Sequence, residues 1–312
     1  MQQDASTVTL SARGLTRRFG ARVAVQDLDL ELRRGEVVGF LGPNGAGKTT
    51  TMQMLTGNLA PSAGSVEICG IDLLERPTAA KARLGYLPET PPLYREMAVD
   101  DFLRFAGRLH GLAGQALGAA VEETKRRCGL ADQGRRLIGA LSKGYQQRVG
   151  VAQAVVHDPD VVILDEPTVG LDPNQIREIR ALVRELGGEH SVILSTHILP
   201  EVETICDRVE ILNEGRVVYS DSIAGLKRSR RGRELTVELH HPPQPGELAR
   251  LPGVTRVEAL SARQFRILHE EGMDPAPALA EAAARNGWGL AMLTPGHATL
   301  EEVFVRLTQG EE

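Results

Sequence analysis

The sequence has little cysteine, no long apolar run and no surplus of positive charge, and each shortage argues against a class of protein. Only Cys69, Cys128 and Cys206 are present in 312 residues, far apart and in no pair at metal-ligand spacing. An odd, sparse set of this kind argues against a disulfide framework and fits buried thiols in a reducing compartment. No stretch approaches the ~18 to 20 apolar residues that a bilayer-crossing helix needs, so any membrane role requires a second chain to supply the membrane part. The first residues, Met1-Gln2-Gln3-Asp4-Ala5-Ser6, lack the positive start and apolar core of a secretory signal, so none is expected there. A net charge of −5 and a pI near 6.0 give no support for bulk nucleic-acid binding.

What remains is ordinary globular material, 42% hydrophobic and 25% charged, long enough for one large domain and a small one. The dominant signal is Gly42-Pro43-Asn44-Gly45-Ala46-Gly47-Lys48-Thr49, which fits the phosphate-loop pattern G-x-x-x-x-G-K-[ST]. Its surroundings fit too. Residues 36–41 read as a short buried strand, and Thr50 opens a segment to Thr56 without glycine or proline, suited to a helix. Glycines let successive backbone N–H groups turn inward on a phosphate, and the helix adds its positive end. Lys48 then neutralises the outer phosphates, and the Thr49 hydroxyl is placed to ligate Mg²⁺. Binding of a nucleoside triphosphate is the expectation.

Other segments gather around that loop. Thr7 to Phe19 and Val23 to Leu32 read as two β segments, with Phe19 in the loop between them. There Phe19 is either partial core or a platform for a base, a stacking contact worth about 1–3 kcal/mol. Residues 84–89 form a short strand stopped by Pro88, leaving Glu89 at a strand end. From Val99 to about Arg136 the apolar spacing is helical, a helical insert within the sheet domain. Ser142 is a plausible N-cap for a helix running to about His157. That terminus is either an ordinary helix start or a second anion-receptive one.

Val161-Val162-Ile163-Leu164 belongs inside a parallel sheet, with Asp165 and Glu166 at its C-terminal end, where doubly wound sheets bind ligands. Asp165 suits Mg²⁺, directly or through water, and Glu166 suits a general base for the attacking water. Ser191 to Ser195 is a further apolar strand, ending in Thr196-His197. A lone histidine is usually structural, but at a sheet's C-terminal edge His197 is a candidate for γ-phosphate contact.

This constellation resembles the ATP-binding subunit of an ABC transporter over about residues 7 to 225. The resemblance implies a P-loop NTPase fold of α/β class, with an antiparallel β subdomain and a helical subdomain. It assigns Phe19 to adenine stacking, Gly42 to Thr49 (with Thr50 beside it) to the Walker A loop, and Glu89 to the Q-loop. Ser142, Lys143, Gly144, Tyr145 and Gln146 fall in the signature, Asp165 and Glu166 in Walker B, Asp172 in the D-loop and His197 at the switch. Residues 85–89, 141–145, 170–176 and 195–198 further resemble ABC-2-type exporter ATPases. Within that group the gliding-motility-associated branch is nearest, with copper-maturation and drug-export ATPases as near relatives. Three positions depart from the family pattern. Lys143 replaces a glycine, Tyr145 a glutamine, and Glu89 the Q-loop glutamine, which adds a negative charge beside the phosphates.

The family implies ATP and Mg²⁺ as ligands and ATP hydrolysis as the activity. It also implies two copies paired head to tail, so that each signature serves the opposite copy's ATP, and a permease of the ABC-2 type as membrane partner. The expected location is cytoplasmic, peripheral on the inner face of the membrane. A non-transport ABC ATPase acting on nucleic acid or the ribosome is the alternative. Such proteins usually carry two cassettes or a long coiled coil, neither of which fits here. A simple nucleotide kinase would not need the signature, and an ATP sensor would not need Glu166 and His197.

The expected division is an ATP-binding domain over 1–226, a basic linker over 227–233 and a small C-terminal α+β domain over 234–312. The linker carries five positive charges. It is either a solvated joint or a segment drawn to anionic headgroups, at about 1 kcal/mol per basic residue near the surface. Beyond it, strands are expected at 234–240, 254–258, 264–268 and 288–293, and helices near 246–251 and 277–285. The order β-α-β-β-α-β is that of a ferredoxin-like domain. Thr299 to Glu302 forms a capping box for a last helix over 300–307. Regulation or dimer support is the role expected of this part.

Overall fold

A computed structural model describes residues 7–225, 234–270, 273–295 and Phe304. The basic linker 227–233, the capping box 299–302 and the chain's first six residues lie outside the described residues. Of the expected last helix only Phe304 is described, in helical conformation. The chain divides into two compact units, the first reaching Ile223 and the second beginning at Ala224.

In the first unit, β1 (Val8–Phe19) and β2 (Arg22–Arg33) form a long antiparallel hairpin. Gly20 at φ +59° makes its turn. Phe19 is therefore the last residue of β1, paired with Arg22, rather than a loop residue as the sequence suggested. With β4 (Ala63–Ile68) and β5 (Ile71–Asp72) the hairpin completes a sheet of order β2-β1-β4-β5, the antiparallel subdomain. Leu28, Leu30 and Leu32 point inward at every second residue, as one buried face requires.

The second sheet has the order β10-β9-β3-β8-β7-β6. Its parallel strands are β3 (Val37–Leu41), β6 (Leu84–Leu87), β7 (Val161–Asp165), β8 (Ser191–Thr196) and β9 (Arg208–Asn213). Every residue of β3, β7 and β8 is buried, which explains their unbroken apolar runs. Register aligns their ends: Leu41 pairs with Thr196, Asp165 with Ser195, and Leu87 with Leu164. The loops that leave these strands thus emerge along one edge. Between β3 and the rest, α1 (Lys48–Leu55) packs Met52, Met54 and Leu55 into a core shared by both sheets. On the far side, β10 (Arg216–Ser222) folds back antiparallel on β9.

Helices α2 (Pro77–Lys81), α3 (Val99–Leu109) and α4 (Gly114–Arg127) follow in order. The helical insert is broken between α3 and α4 by Gly111 at φ +85°. Helix α3 packs on α4 and on α5 (Lys143–Val155). Helices α6 (Pro173–Gly187) and α7 (Leu199–Ile205) complete this unit.

The second unit runs β11 (Glu234–Leu239), α8 (Pro245–Leu248), β12 (Val254–Ala259), β13 (Gln264–His269), α9 (Ala276–Asn286) and β14 (Leu290–Pro295). Its sheet order β12-β13-β11-β14, antiparallel throughout, is the ferredoxin-like arrangement. Leu235, Val237 and Leu239 alternate into a core with Phe265, Ile267, Leu279 and Trp288. The last strand starts two residues later than expected. Gly287 and Gly289, at φ +66° and +65°, hold Trp288 in a turn ahead of it.

Candidate functional site

The phosphate loop is shaped by what its glycines must avoid. A Cβ on Gly42 would lie 2.5 Å from the Leu212 carbonyl oxygen, and one on Gly47 would lie 2.6 Å from that of Ala24. Gly47 also sits at φ +105°, so it has both no room and no allowed backbone for a side chain. The loop is pinned from outside as well, since the Gly215 N–H donates to the Ala46 carbonyl at 2.9 Å.

Lys48 opens α1 and folds back over the loop, donating from Nζ to the Gly42 carbonyl at 2.7 Å. Its ammonium lies 3.8 Å from Glu166 Oε1. Burial lowers the Lys48 pKa, and the carboxylates of Glu166, Asp165 and Glu89 act against that. The ammonium is held over carbonyl oxygens and aimed at acids, ready for an anion.

Glu166 leaves the end of β7 at φ 49°, a left-handed backbone that is costly for a residue with a side chain. Its own N–H donates to the Ser195 carbonyl at 2.9 Å, which fixes it to the end of β8. His197 Nδ1 lies 2.9 and 3.0 Å from the two Glu166 carboxylate oxygens. An ionised carboxylate only accepts, so this contact puts the proton on Nδ1 and leaves Nε2 as the free ring position. The sequence aimed His197 at phosphate; the structure adds Glu166 as its partner.

Asp165 is fully buried, and neither of its oxygens has a hydrogen-bond partner. The Ser195 hydroxyl beside it is the nearest donor, close enough to favour the ionised carboxylate yet without the geometry of a full hydrogen bond. Burial raises the Asp165 pKa, with the Glu166 and Glu89 charges adding to it and the Ser195 hydroxyl and the Lys48 charge acting against it. Burial, aided by the Asp165 charge, also pushes Tyr86 up to about 12, so Tyr86 stays neutral below that pH.

A cavity of about 370 Å³ collects the loop residues Pro43, Asn44, Gly45, Gly47, Lys48, Thr49 and Thr50, together with Glu89, Glu166 and His197. Four separate strand ends supply these groups. Arg22 and Ala24 of β2 and Val169 also line it, and the sequence reading missed all three. Arg22 follows the Gly20-Ala21 turn directly, which was the available signal. Phe19 does not line this cavity; it is 48% exposed at the end of β1, with the Arg17 guanidinium 4.6 Å from its ring centre.

The signature residues do not line this cavity either. Ser142 caps α5 by accepting from the Tyr145 N–H at 3.5 Å, as its type and position suggested. Gly144 is packed so closely that a Cβ would lie 2.5 Å from Gln175 of α6. The Gln146 side-chain amide donates to the Leu141 and Ile138 carbonyls. Lys143 Nζ reaches over Gly170, in the space that a Cβ there would take. Asp172 caps α6, accepting from the Asn174 and Gln175 N–H groups at 2.9 and 3.0 Å. The residues expected to form the signature and the D-loop therefore pack together, outside the lining of the phosphate cavity. Among the described residues no cluster of three or more His, Cys, Asp or Glu forms a metal cage.

Residues 25–169 match the family described as ABC transporter. The chain is 40% identical over 215 residues to the ABC transporter ATP-binding protein NatA of Bacillus subtilis (strain 168), covering 68% of this chain and 87% of that one. It is 35% identical over 306 residues to the daunorubicin resistance ATP-binding protein DrrA3 of Streptomyces coeruleorubidus, covering 96% of this chain and 95% of that one. Identity to the Nod factor export ATP-binding protein I of Burkholderia lata is 33% over 305 residues, 96% of each chain. The last two matches span the ferredoxin-like unit as well as the sheet domain. Sequence likeness over most of the chain and a phosphate loop built into this sheet agree: the chain belongs to the ABC transporter family, as an ATP-binding subunit that hydrolyses ATP.

Proposed function

We propose that this subunit powers an exporter whose permease is of the ABC-2 type, and that two copies close head to tail around two ATP molecules. The observation that carries this reading is the pairing of Glu166 with His197 opposite Lys48, at the mouth of the phosphate cavity. Lys48 and the loop N–H groups bind the phosphates, Glu166 takes the proton of the attacking water, and His197 holds Glu166 and faces the γ-phosphate with Nε2. Phe19, outside the cavity lining but exposed and paired with the lining residue Arg22, would contribute a face for adenine.

The donor set suits Mg²⁺. Asp165 is a buried carboxylate with no well-formed hydrogen bond and only the Ser195 hydroxyl beside it, an arrangement that is costly without a compensating cation or its water shell. Magnesium commonly rests on one or two carboxylates plus phosphates and waters, so the lack of a closed cage is no obstacle. Thr49 and Asp165 would hold it, with Glu89 nearby, and when bound it neutralises charge on the β- and γ-phosphates.

Ser142, Lys143, Gly144, Tyr145 and Gln146 lie outside their own chain's cavity, which supports service to the ATP of a second copy, with Asp172 at the same junction. A cationic Lys143 in place of glycine strengthens that anion-receptive end. Loss of the γ-phosphate then removes what the two copies share and lets them part. The export reading draws on the Nod factor export and daunorubicin resistance relatives, each of which matches 96% of this chain. The gliding-associated branch rests on the motif texture alone. We place the subunit on the inner face of the cytoplasmic membrane, and assign the C-terminal unit to regulation or dimer support.

Purification of the full chain from membranes tests this directly. An integral-membrane partner of the ABC-2 type is expected to come with it. Recovery with ribosomes or nucleic acid instead would overturn the transport reading in favour of the non-transport one.

A further inference from the structure

We propose that Glu201 is the positioning residue that holds His197 against Glu166, and that Arg180 ties this hold to helix α6. The inference rests on the catalytic reading of Glu166 and His197 above.

Glu201 sits in the first turn of α7, four residues after His197, and has no exposed surface. An ionised carboxylate in that position needs partners for its oxygens. One oxygen accepts from the Thr196 hydroxyl at 2.9 Å, and the other accepts from Arg180 Nη2 at 3.4 Å. Thr196, also fully buried, uses the same hydroxyl oxygen to accept from the Ile198 N–H at 3.1 Å. The residues immediately before and after His197 are therefore joined through one hydroxyl, and that hydroxyl is anchored on Glu201. The Glu201 N–H donates back to the Ile198 carbonyl at 3.0 Å, closing the turn.

A second anchor lies one residue earlier in the strand. Ser195 there receives the Glu166 N–H. The His197 side chain follows these two anchors, and its ring is half exposed with Glu166 as its hydrogen-bond partner. Half of the ring faces solvent, so its orientation rests on the Glu166 contact and on the turn that carries it. Arg180 adds direction. It belongs to α6, whose N-cap is Asp172, so a movement of α6 is felt at Glu201 and through it at His197. That supplies a physical link between the D-loop helix and the candidate general base.

The test is steady-state ATP hydrolysis by the full chain, comparing Glu201→Gln and Thr196→Val, each alone and combined with His197→Ala. Glu201→Gln keeps an acceptor of the same shape but loses the charge that holds Arg180, and Thr196→Val removes only the hydroxyl. Misplacing a catalytic group by about 1 Å costs about 100-fold, so kcat is expected to fall by roughly 10- to 100-fold in each single variant. The KM for ATP is expected to stay within about twofold, because the phosphate loop is untouched. In the His197→Ala background neither substitution is expected to lower kcat further, and Thr196→Ser is expected to restore the rate that Thr196→Val loses.

Equal fold-losses with and without His197 would show a merely structural role and overturn the proposal. Wild-type kcat in both single variants, with His197→Ala impaired, would overturn it while leaving the catalytic reading intact. Wild-type kcat in His197→Ala itself would overturn both. Thr196→Val, which keeps volume and leaves the buried ion pair in place, decides the matter if Glu201→Gln does not fold.

Discussion

At the scale of single residues, the site depends on charges held where they are awkward without a ligand. Glu166 is on a left-handed backbone, Asp165 is buried without a well-formed hydrogen bond, and Lys48 is drawn over carbonyls with its pKa lowered by burial. Glu166→Gln is expected to slow ATP hydrolysis by about 10²–10⁴-fold while sparing nucleotide affinity, measured as turnover beside an ATP titration. Lys48→Ala is expected to weaken ATP binding itself, visible as a raised Kd; unchanged affinity would count against its placement over the phosphates. The residue types were legible in the sequence because phosphate loops and acid-ended apolar strands are local patterns. The bond between His197 and Glu166 was not. It joins positions 31 residues apart in the chain and exists only because β7 and β8 are neighbours in register.

At the scale of elements, caps and turns do the positioning. Asp172 accepts two N–H groups at the start of α6, and Pro173 occupies the first helical position, where its missing N–H costs nothing. Asp172→Ala is expected to lower stability by about 1 kcal/mol, with Asp172→Asn nearly neutral, as read by urea unfolding. Equal losses in both would mean that the carboxylate does something other than cap. The signal for the cap is Asp-Pro before an apolar-periodic segment, whereas the sequence reading gave Asp172 only its D-loop role. The β9–β10 hairpin was missed, although its signal is present. Two apolar runs flank Glu214-Gly215, both residues adopt positive φ, and Asn213 pairs with Arg216. Phe19 was placed in a loop because Gly20 marks the turn, but a two-residue turn leaves its neighbour inside the strand.

At the scale of the whole molecule, a parallel sheet gathers four loops along one edge, and a helical insert is joined to that sheet by a pair of histidines. His110 and His157 stack with ring centres 3.5 Å apart, and His157 Nε2 meets the Leu84 carbonyl at 3.1 Å. Burial, with a smaller contribution from His110, lowers the His157 pKa from 6.5 to about 4. As pH falls through that window, the unfolded chain takes up a proton that the folded chain refuses, so stability is lost on acidification. The loss is on the order of 2–3 kcal/mol between about pH 6.5 and 4, and His157→Gln is expected to flatten it in unfolding curves at pH 7 and 4.5. An equally steep fall in the variant would assign the effect to other groups. This joint was invisible in the sequence, where the two histidines are 47 positions apart and neither lies in a motif. The ferredoxin-like unit was legible, since its strands alternate cleanly and its order of elements leaves few topologies.

The central claim is that the fuel-burning site is complete only when two copies meet, because one chain's signature lies away from its own phosphate cavity. The most direct test is ATP turnover per chain as a function of protein concentration, with the monomer–dimer distribution recorded on the same samples. The account predicts turnover per chain that rises with the dimer fraction and vanishes with it on dilution. Full turnover from a sample shown to be wholly monomeric would contradict it.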